Sequence, residues 1–255
     1  MSELVSIITP TYNSEKYIAE TIQSVQLQTY INWEMLIVDD FSSDKTIDII
    51  LKFINKDSRI RIIKLIENKG TGVARQKALD LANGKYIAFL DSDDIWKPEK
   101  LQKQIEFMKS KNLPFTFSFF DCIDDDSNFL GKRVQSPNPI TYDQLFYCNF
   151  IGNLTGIYDV DFFGKIPIPI KRKRQDWMLW LVILKKIRLA EPVPESLALY
   201  RIRRDSLSTS KWRLLKHNYL VYRDFHKFSL VKSFFSMLVF LYVQFFIKAK
   251  YIKKL

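Results

Sequence analysis

The side chains best suited to chemistry in this chain are carboxylates, and they follow apolar runs. Asp91-Ser92-Asp93-Asp94 comes after residues 86–90, Asp39-Asp40 after residues 35–38, and Thr9-Pro10-Thr11-Tyr12-Asn13 after residues 5–8. In an open α/β sheet the carboxyl ends of parallel strands line a shared crevice, and ligands bind there. Carboxylates at that edge can hold a divalent cation and a nucleotide, which points to an enzyme acting on a nucleotide-linked substrate.

Each segment has a catalytic reading and a plain one. Asp91 and Asp93, one residue apart at a strand end, can converge on Mg²⁺ or Mn²⁺, hard ions that take oxygen ligands. Such an ion neutralises a diphosphate and eases its departure. The plain reading is a solvated acidic turn. Asp39-Asp40 can form an Asx turn before a helix, or Asp40 can accept from a uracil imide or a ribose hydroxyl. Tyr12 and Asn13 are either turn formers or a platform for a base. Gly70-Thr71-Gly72 before Val73-Ala74-Arg75 has half of a dinucleotide fingerprint but lacks the final glycine. Arg75 in a first helical turn is placed either to meet an anion or to face water.

Composition removes several classes. The only histidines, His217 and His226, lie beyond residue 210. A Ser-His-Asp or Cys-His nucleophile and a His-ligated metal are thereby excluded from residues 1–210. Cys122 and Cys148 lack the spacing of a disulfide framework or zinc site. The net charge of +11 is unevenly spread: residues 211–255 hold ten of the 39 Lys and Arg and one acid, Asp224. A near-neutral body with a basic tail argues against nucleic acid and for a tail on an anionic surface. Met1-Ser2-Glu3 leads straight into a strand, so no secretory signal is expected and the bulk is expected to be cytosolic.

The elements that must position these residues alternate. Strands are expected at 4–9, 33–38, 59–66 and 86–90. Helices are expected from Ser14, from Ser42-Ser43-Asp44 to about Phe53, from Gly72 to Asn83-Gly84, where C-cap chemistry is expected, and from Pro98 to about Lys109. This order predicts a Rossmann-like, mainly parallel mixed sheet flanked by helices. Beyond residue 112 the pattern loosens: strands are expected at 115–120 and within 152–158, a polar stretch at 124–139, an exposed loop through Pro167-Ile168-Pro169 and residues 171–174, and a helix over 177–187. The division is expected to be a domain over 1–210 and a helical, membrane-associating tail over 211–255.

The segments Ser6-Ile7-Ile8-Thr9-Pro10-Thr11-Tyr12-Asn13, Val38-Asp39-Asp40-Phe41-Ser42-Ser43-Asp44, Gly72-Val73-Ala74-Arg75 and residues 84–94 together resemble glycosyltransferase family 2, with its GT-A fold. Arg174-Gln175-Asp176-Trp177 resembles the family's later Glu-Asp signature. Tyr200-Arg201 with Ser206-Leu207-Ser208 is similar to the branch found in O-antigen, capsule and teichuronic-acid clusters. The resemblance implies an inverting transferase that uses a nucleotide-sugar, most often UDP-linked. It implies that Pro10, Tyr12, Asp40 and Arg75 contact the nucleotide, that Asp91 serves ribose or metal, and that Asp93 ligates the metal directly. Asp176 then matches the catalytic base, although it is also placed to cap the helix that follows. Two positions depart from the family: Gln76 stands where Asn is common, and Gln175 where Glu is common.

The rival classes are a sugar nucleotidylyltransferase or other metal-dependent phosphoryl-transfer enzyme, and an inactive membrane scaffold. The first expects a Gly-rich loop after the first strand, where this chain has Pro10-Thr11-Tyr12-Asn13. The scaffold expects the loss of Asp93 or Asp176, and both are present.

Between Lys232 and Lys248 lie fifteen mostly apolar residues. As a helix they reach roughly 22 Å, short of the ~30 Å hydrocarbon core. A helix lying among the headgroups is expected, with Lys248, Lys250, Lys253 and Lys254 on anionic phosphates. That location, on the inner face of the cell membrane, suits an acceptor glycan carried on a polyprenyl diphosphate.

Overall fold

The computed structural model describes residues 3–169, 173–203 and 211–255. The first half alternates β1 (Val5–Thr11), α1 (Ile18–Gln26), β2 (Trp33–Asp39), α2 (Thr46–Ile54), β3 (Ile60–Lys64), α3 (Thr71–Leu81) and β4 (Tyr86–Phe89). There follow β5 (Ile95–Trp96), α4 (Lys100–Lys111), β6 (Phe115–Ile123), β7 (Phe129–Val134), β8 (Ile140–Thr141) and α5 (Tyr142–Tyr147). The rest is β9 (Ile157–Asp159), α6 (Val160–Phe163), α7 (Gln175–Ile187), β10 (Leu189–Arg201), α8 (Lys211–Leu220), α9 (Leu230–Tyr242) and β11 (Ile252–Lys254).

The main sheet runs β11-β7-β6-β9-β4-β1-β2-β3. Its β3-β2-β1-β4 half is parallel. Strands β9, β7 and β11 join antiparallel, and β10 pairs parallel with β6. The parallel half is apolar on both faces because helices cover both. Alternate residues part to opposite sides: Ile8, Leu36, Val38, Ile87 and Phe89 pack with α3 and α7, while Val5, Ile7, Met35, Ile37 and Ala88 pack with α1 and α4. Strand β3 forms the far edge and carries Arg61 and Lys64 between its isoleucines.

Three local differences from the sequence reading have physical causes. The Asn83-Gly84 turn is not a left-handed C-cap. A Cβ on Gly84 would stand 2.6 Å from Ser6 N and 2.8 Å from Leu4 O, so glycine is there for close backbone approach. Gly84 N–H donates to Ser6 Oγ, which donates to Glu34 Oε1, and Asn83 N–H donates to the same carboxylate oxygen. This polar staple ties the start of β1 to β2 and to the α3–β4 turn. Asp176 is not the cap of α7: the left-handed Arg174 (φ 66°) precedes the helix, and Asp176 lies in its first turn. Within 152–158, a 3-10 turn (Asn153–Thr155) comes before the strand β9.

The tail is built into the fold. Val221, Tyr222 and Phe240 belong to the core beneath α5 and α7, and β11 pairs with β7. The helix is also longer than expected: the helical stretch Leu230–Tyr251 is 22 residues, about 33 Å, because it continues past Lys248. By length and composition alone it could cross a membrane, with 17% of its apolar window buried.

Replacing Gly84 with Ala should cost about 1–3 kcal/mol, because the new methyl meets fixed backbone. Urea unfolding of G84A beside the parent tests this, and equal midpoints would contradict the close-approach account.

Candidate active site

The carboxyl ends of β1, β2 and β4 open into one cavity of ≈ 680 Å³. Pro10, Tyr12, Asn13, Asp40, Arg75, Asp91, Asp93 and Asp176 all line it. Sequence positions up to 166 residues apart therefore meet at a single site.

The two ambiguous segments divide by residue. Asp39 is the turn former, accepting from the Ser42 N–H at 2.9 Å and from the Ser42 hydroxyl. Asp40 lines the cavity, but its carboxylate accepts from the N–H groups of Lys69 and Gly70 at 2.7 and 2.8 Å. It therefore fixes the loop that leads into α3. Asn13 adopts a left-handed backbone (φ 47°) and its Oδ1 accepts from Ser43 N–H at 2.9 Å, so it is a turn former. The Tyr12 ring is 49% exposed at the cavity rim and is free to act as a flat platform. Gly72 does not cradle a phosphate. A Cβ there would lie 2.5 Å from Gln175 Nε2, so this glycine lets α3 abut the start of α7.

Charge is concentrated on the acidic turn. Arg75 is buried and donates from Nη2 to Asp91 Oδ1 and from Nη1 to Gln175 Oε1; its buried Nε has no partner among the described residues. Asn153 Nδ2 also donates to Asp91 Oδ1, at 3.1 Å. Arg203 Nη1 pairs with Asp93 Oδ2 at 3.0 Å. The backbone of the turn is held by Arg201, whose Nε donates to Asp93 O at 2.8 Å and whose N–H donates to Asp94 Oδ1 at 3.0 Å. Burial first, and then the Asp91 charge, raise the Asp93 pKa. Asp94 is pushed well above the ordinary carboxylate range by complete burial and by Asp93 and Asp91.

Asp91 and Asp93 fit a divalent ion. Asp91 Oδ2 and Asp93 Oδ1 accept no hydrogen bond from the side chains of described residues, and both carboxylates line the cavity. Among the described residues no cluster of three or more ligating side chains occurs, so these two would hold the ion with donor oxygens and water completing its shell.

At the other wall, Asn149 Nδ2 donates to Asp176 Oδ2 at 2.8 Å. Lys248 enters from the end of the tail helix and donates to the Asn149 carbonyl oxygen. The expectation that Lys248 faces membrane phosphates is thus corrected: it lines the cavity, where burial lowers its pKa. Sequence reasoning also missed Asn149, Asn153 and Arg203, since lone amides and arginines in irregular segments carry no periodic signal. Of the segment read as an exposed loop, Ile168 is buried, Lys173 and Arg174 line the cavity, and Lys171 and Arg172 lie outside the described residues. Ser206-Leu207-Ser208 also lies outside them.

The family model described as glycosyl transferase family 2 matches residues 6–163. The chain belongs to glycosyltransferase family 2. Among its relatives is the putative teichuronic acid biosynthesis glycosyltransferase TuaG of Bacillus subtilis, 43% identical over 230 residues that cover 90% of this chain and 91% of the relative. Another is the Escherichia coli UDP-Glc:alpha-D-GlcNAc-diphosphoundecaprenol beta-1,3-glucosyltransferase WfgD, 40% identical over 235 residues, covering 92% and 91%. The crystal structure of S. aureus TarS 1–349 with UDP-GlcNAc superposes with a TM-score of 0.73 at 22% identity, covering 96% of this chain and 73% of that one. That likeness shows the GT-A fold.

The acidic turn makes this family 2 enzyme pH-sensitive in a defined direction. The Asp94 pKa is higher in the folded chain than its ordinary 3.8. Its stabilising contribution is therefore complete below about pH 3.8 and is lost as pH rises through the elevated folded value. In metal-free buffer, D94N should gain stability over the parent as pH rises from 4 towards 8, with a slope of at most about 1.4 kcal/mol per pH unit. Parallel stability curves for the two proteins would contradict this.

Proposed function

We propose that this enzyme is an inverting glycosyltransferase that moves a sugar from a UDP-linked donor to a hydroxyl of a polyprenyl-diphosphate-linked glycan during bacterial surface-polysaccharide synthesis. The observation that carries the reading is the two-walled cavity: Asp91 and Asp93 on one side, and Asp176, held by Asn149, on the other. The activity for which WfgD is named, UDP-glucose to a GlcNAc-diphospholipid, and the teichuronic-acid assignment of TuaG support the donor and acceptor classes.

The chain's own residues supply most of the chemistry. An acceptor hydroxyl has a pKa far above 7, so a carboxylate must take its proton as attack proceeds. The Asn149 amide occupies Asp176 Oδ2, which leaves Oδ1 for that proton. The acceptor oxygen bonds to the anomeric carbon while the bond to the diphosphate breaks, so configuration inverts through an oxocarbenium-like state. Tyr12 stacks on the base, Pro10 and Asn13 shape the turn beside it, and Asp40 holds the Lys69-Gly70 loop against the nucleotide. Arg75 offers its unpaired Nε on the same side as Asp91. Mn²⁺ or Mg²⁺ held by Asp91 and Asp93 would neutralise the departing diphosphate. Positioning of the two substrates supplies much of the remaining rate.

Residues 1–210 are proposed to carry the transfer residues Asp91, Asp93 and Asp176, and residues 211–255 to complete the fold and the cavity wall while adding membrane attachment on the inner face of the cell membrane. The face of α9 supports this: Val231, Phe234, Phe235, Leu238 and Tyr242, with Phe245 and Phe246 beyond, are exposed apolar side chains. Such a surface beside Lys232 and Lys250 suits an anionic bilayer. The Ser229 hydroxyl caps the helix at its start, and Phe240 roots it in the core.

Two measurements test the proposal. D176N should lower kcat by about 10²–10⁴-fold with little change in the KM of the donor; undiminished turnover would exclude Asp176 as the base. Deleting the tail would remove core residues and β11, so surface changes are the cleaner probe of attachment. F234S/F235S/F245S should weaken partition onto anionic vesicles by at least about tenfold, with unfolding midpoints held close to the parent. Unchanged flotation would refute membrane attachment through this face.

A further inference from the structure

Two sets of cations line the cavity, and they differ in how they are neutralised. Arg75 and Arg203 pair with Asp91 and Asp93, on the donor side. Lys248 and Arg174 form no ion pair with a described residue, although both line the same cavity on the Asp176 side. Arg174 Nε donates to Asn218 Oδ1 at 2.6 Å, and Lys248 donates to the Asn149 carbonyl and lies 5.9 Å from the centre of the Phe150 ring. Neutral partners satisfy some of their hydrogens and none of their charge. Withdrawing an ammonium from water without a counterion is costly. That cost is reflected in the lowered pKa of Lys248: burial lowers it most and the Arg174 charge lowers it further, while the Asp176 carboxylate opposes the shift only in part. Two cations on this wall are thus left without an ion pair among the described residues, and an anion entering the cavity there would meet both.

We propose that Lys248 and Arg174 form a subsite for the diphosphate of the acceptor lipid. This rests on the lipid-linked acceptor reading above and deepens it. Three observations favour the acceptor over the donor as the source of the anion. The donor side already has its own arginines and its own candidate cation site. Arg174 stands two residues from Asp176, and Lys248 bonds the same Asn149 that holds the Asp176 carboxylate, so an anion here lies beside the base that the acceptor hydroxyl must reach. Lys248 also lies in the helical stretch with the exposed apolar face, and Phe245 and Phe246 stand exposed within one turn of it. An isoprenoid chain leaving the diphosphate would meet apolar surface at once. A guanidinium and an ammonium suit two phosphates as fork and point charge.

The test compares two acceptors with one UDP-sugar donor: N-acetylglucosaminyl diphosphate carrying a long alkyl chain, and the uncharged alkyl N-acetylglucosaminide. K248M should cut the ratio of their kcat/KM values by about 10- to 100-fold, with the KM of the donor held and with K248R restoring much of the preference. An unchanged ratio, however far both rates fall, would show that Lys248 acts only through Asn149 and would overturn the subsite. A rise in the donor KM matching the loss would assign the anion site to the donor, which also overturns it. Calorimetry with farnesyl diphosphate against farnesol needs no turnover: parent protein that binds both alike overturns the subsite even where transfer is seen. Retained diphosphate discrimination, lost in K248M, supports the subsite even if no acceptor is glycosylated, in which case the functional reading alone fails.

Discussion

Repulsion between carboxylates gathered at one edge of the sheet is the constraint around which this molecule is arranged. Parallel strands end together, so side chains that follow β1, β2 and β4 share a small volume. Asp91, Asp93 and Asp94 cannot all stay ionised there without compensation, and the fold supplies it from distant segments: Arg75 from α3, Arg201 from the end of β10 and Arg203 just beyond it. Burial first, and the neighbouring carboxylates second, raise the pKa values of Asp93 and Asp94, and a divalent ion held at the turn would oppose both effects. A turn fully neutralised by arginine would be more stable and would have less to offer a metal.

The parallel half of the sheet was legible because its signals are local and periodic. Runs such as 35–38 are apolar throughout since both faces are covered, and the acidic residues follow them directly. The grouping of Asp40, Asp93 and Asp176 followed from strand order and from family resemblance together. What was not legible depends on contacts between remote segments. Nothing in the local sequence distinguishes Asp39, which closes a turn on Ser42, from Asp40, which clasps the 69–70 backbone. The reason for Gly84 lies across the sheet at Ser6, and the reason for Gly72 lies at Gln175, about a hundred residues away.

The tail shows the same limit in another form. Hydropathy and charge predicted an apolar helix and a basic segment, but they treat residues as a population. Lys248 belongs by composition to the basic group and by geometry to the cavity wall. Pairing of β11 with β7 brings the end of the helix back to the sheet, so the exposed apolar surface and the cavity wall near Asp176 are parts of one body.

The two margins of the sheet are finished differently. On one side β11 covers β7 with backbone hydrogen bonds, while at the other the outer edge of β3 meets no further strand among the described residues and bears Arg61 and Lys64. Cationic side chains on an open strand oppose its pairing with the same strand of a second molecule. This border keeps copies of the chain that crowd together from growing into a continuous β-ribbon.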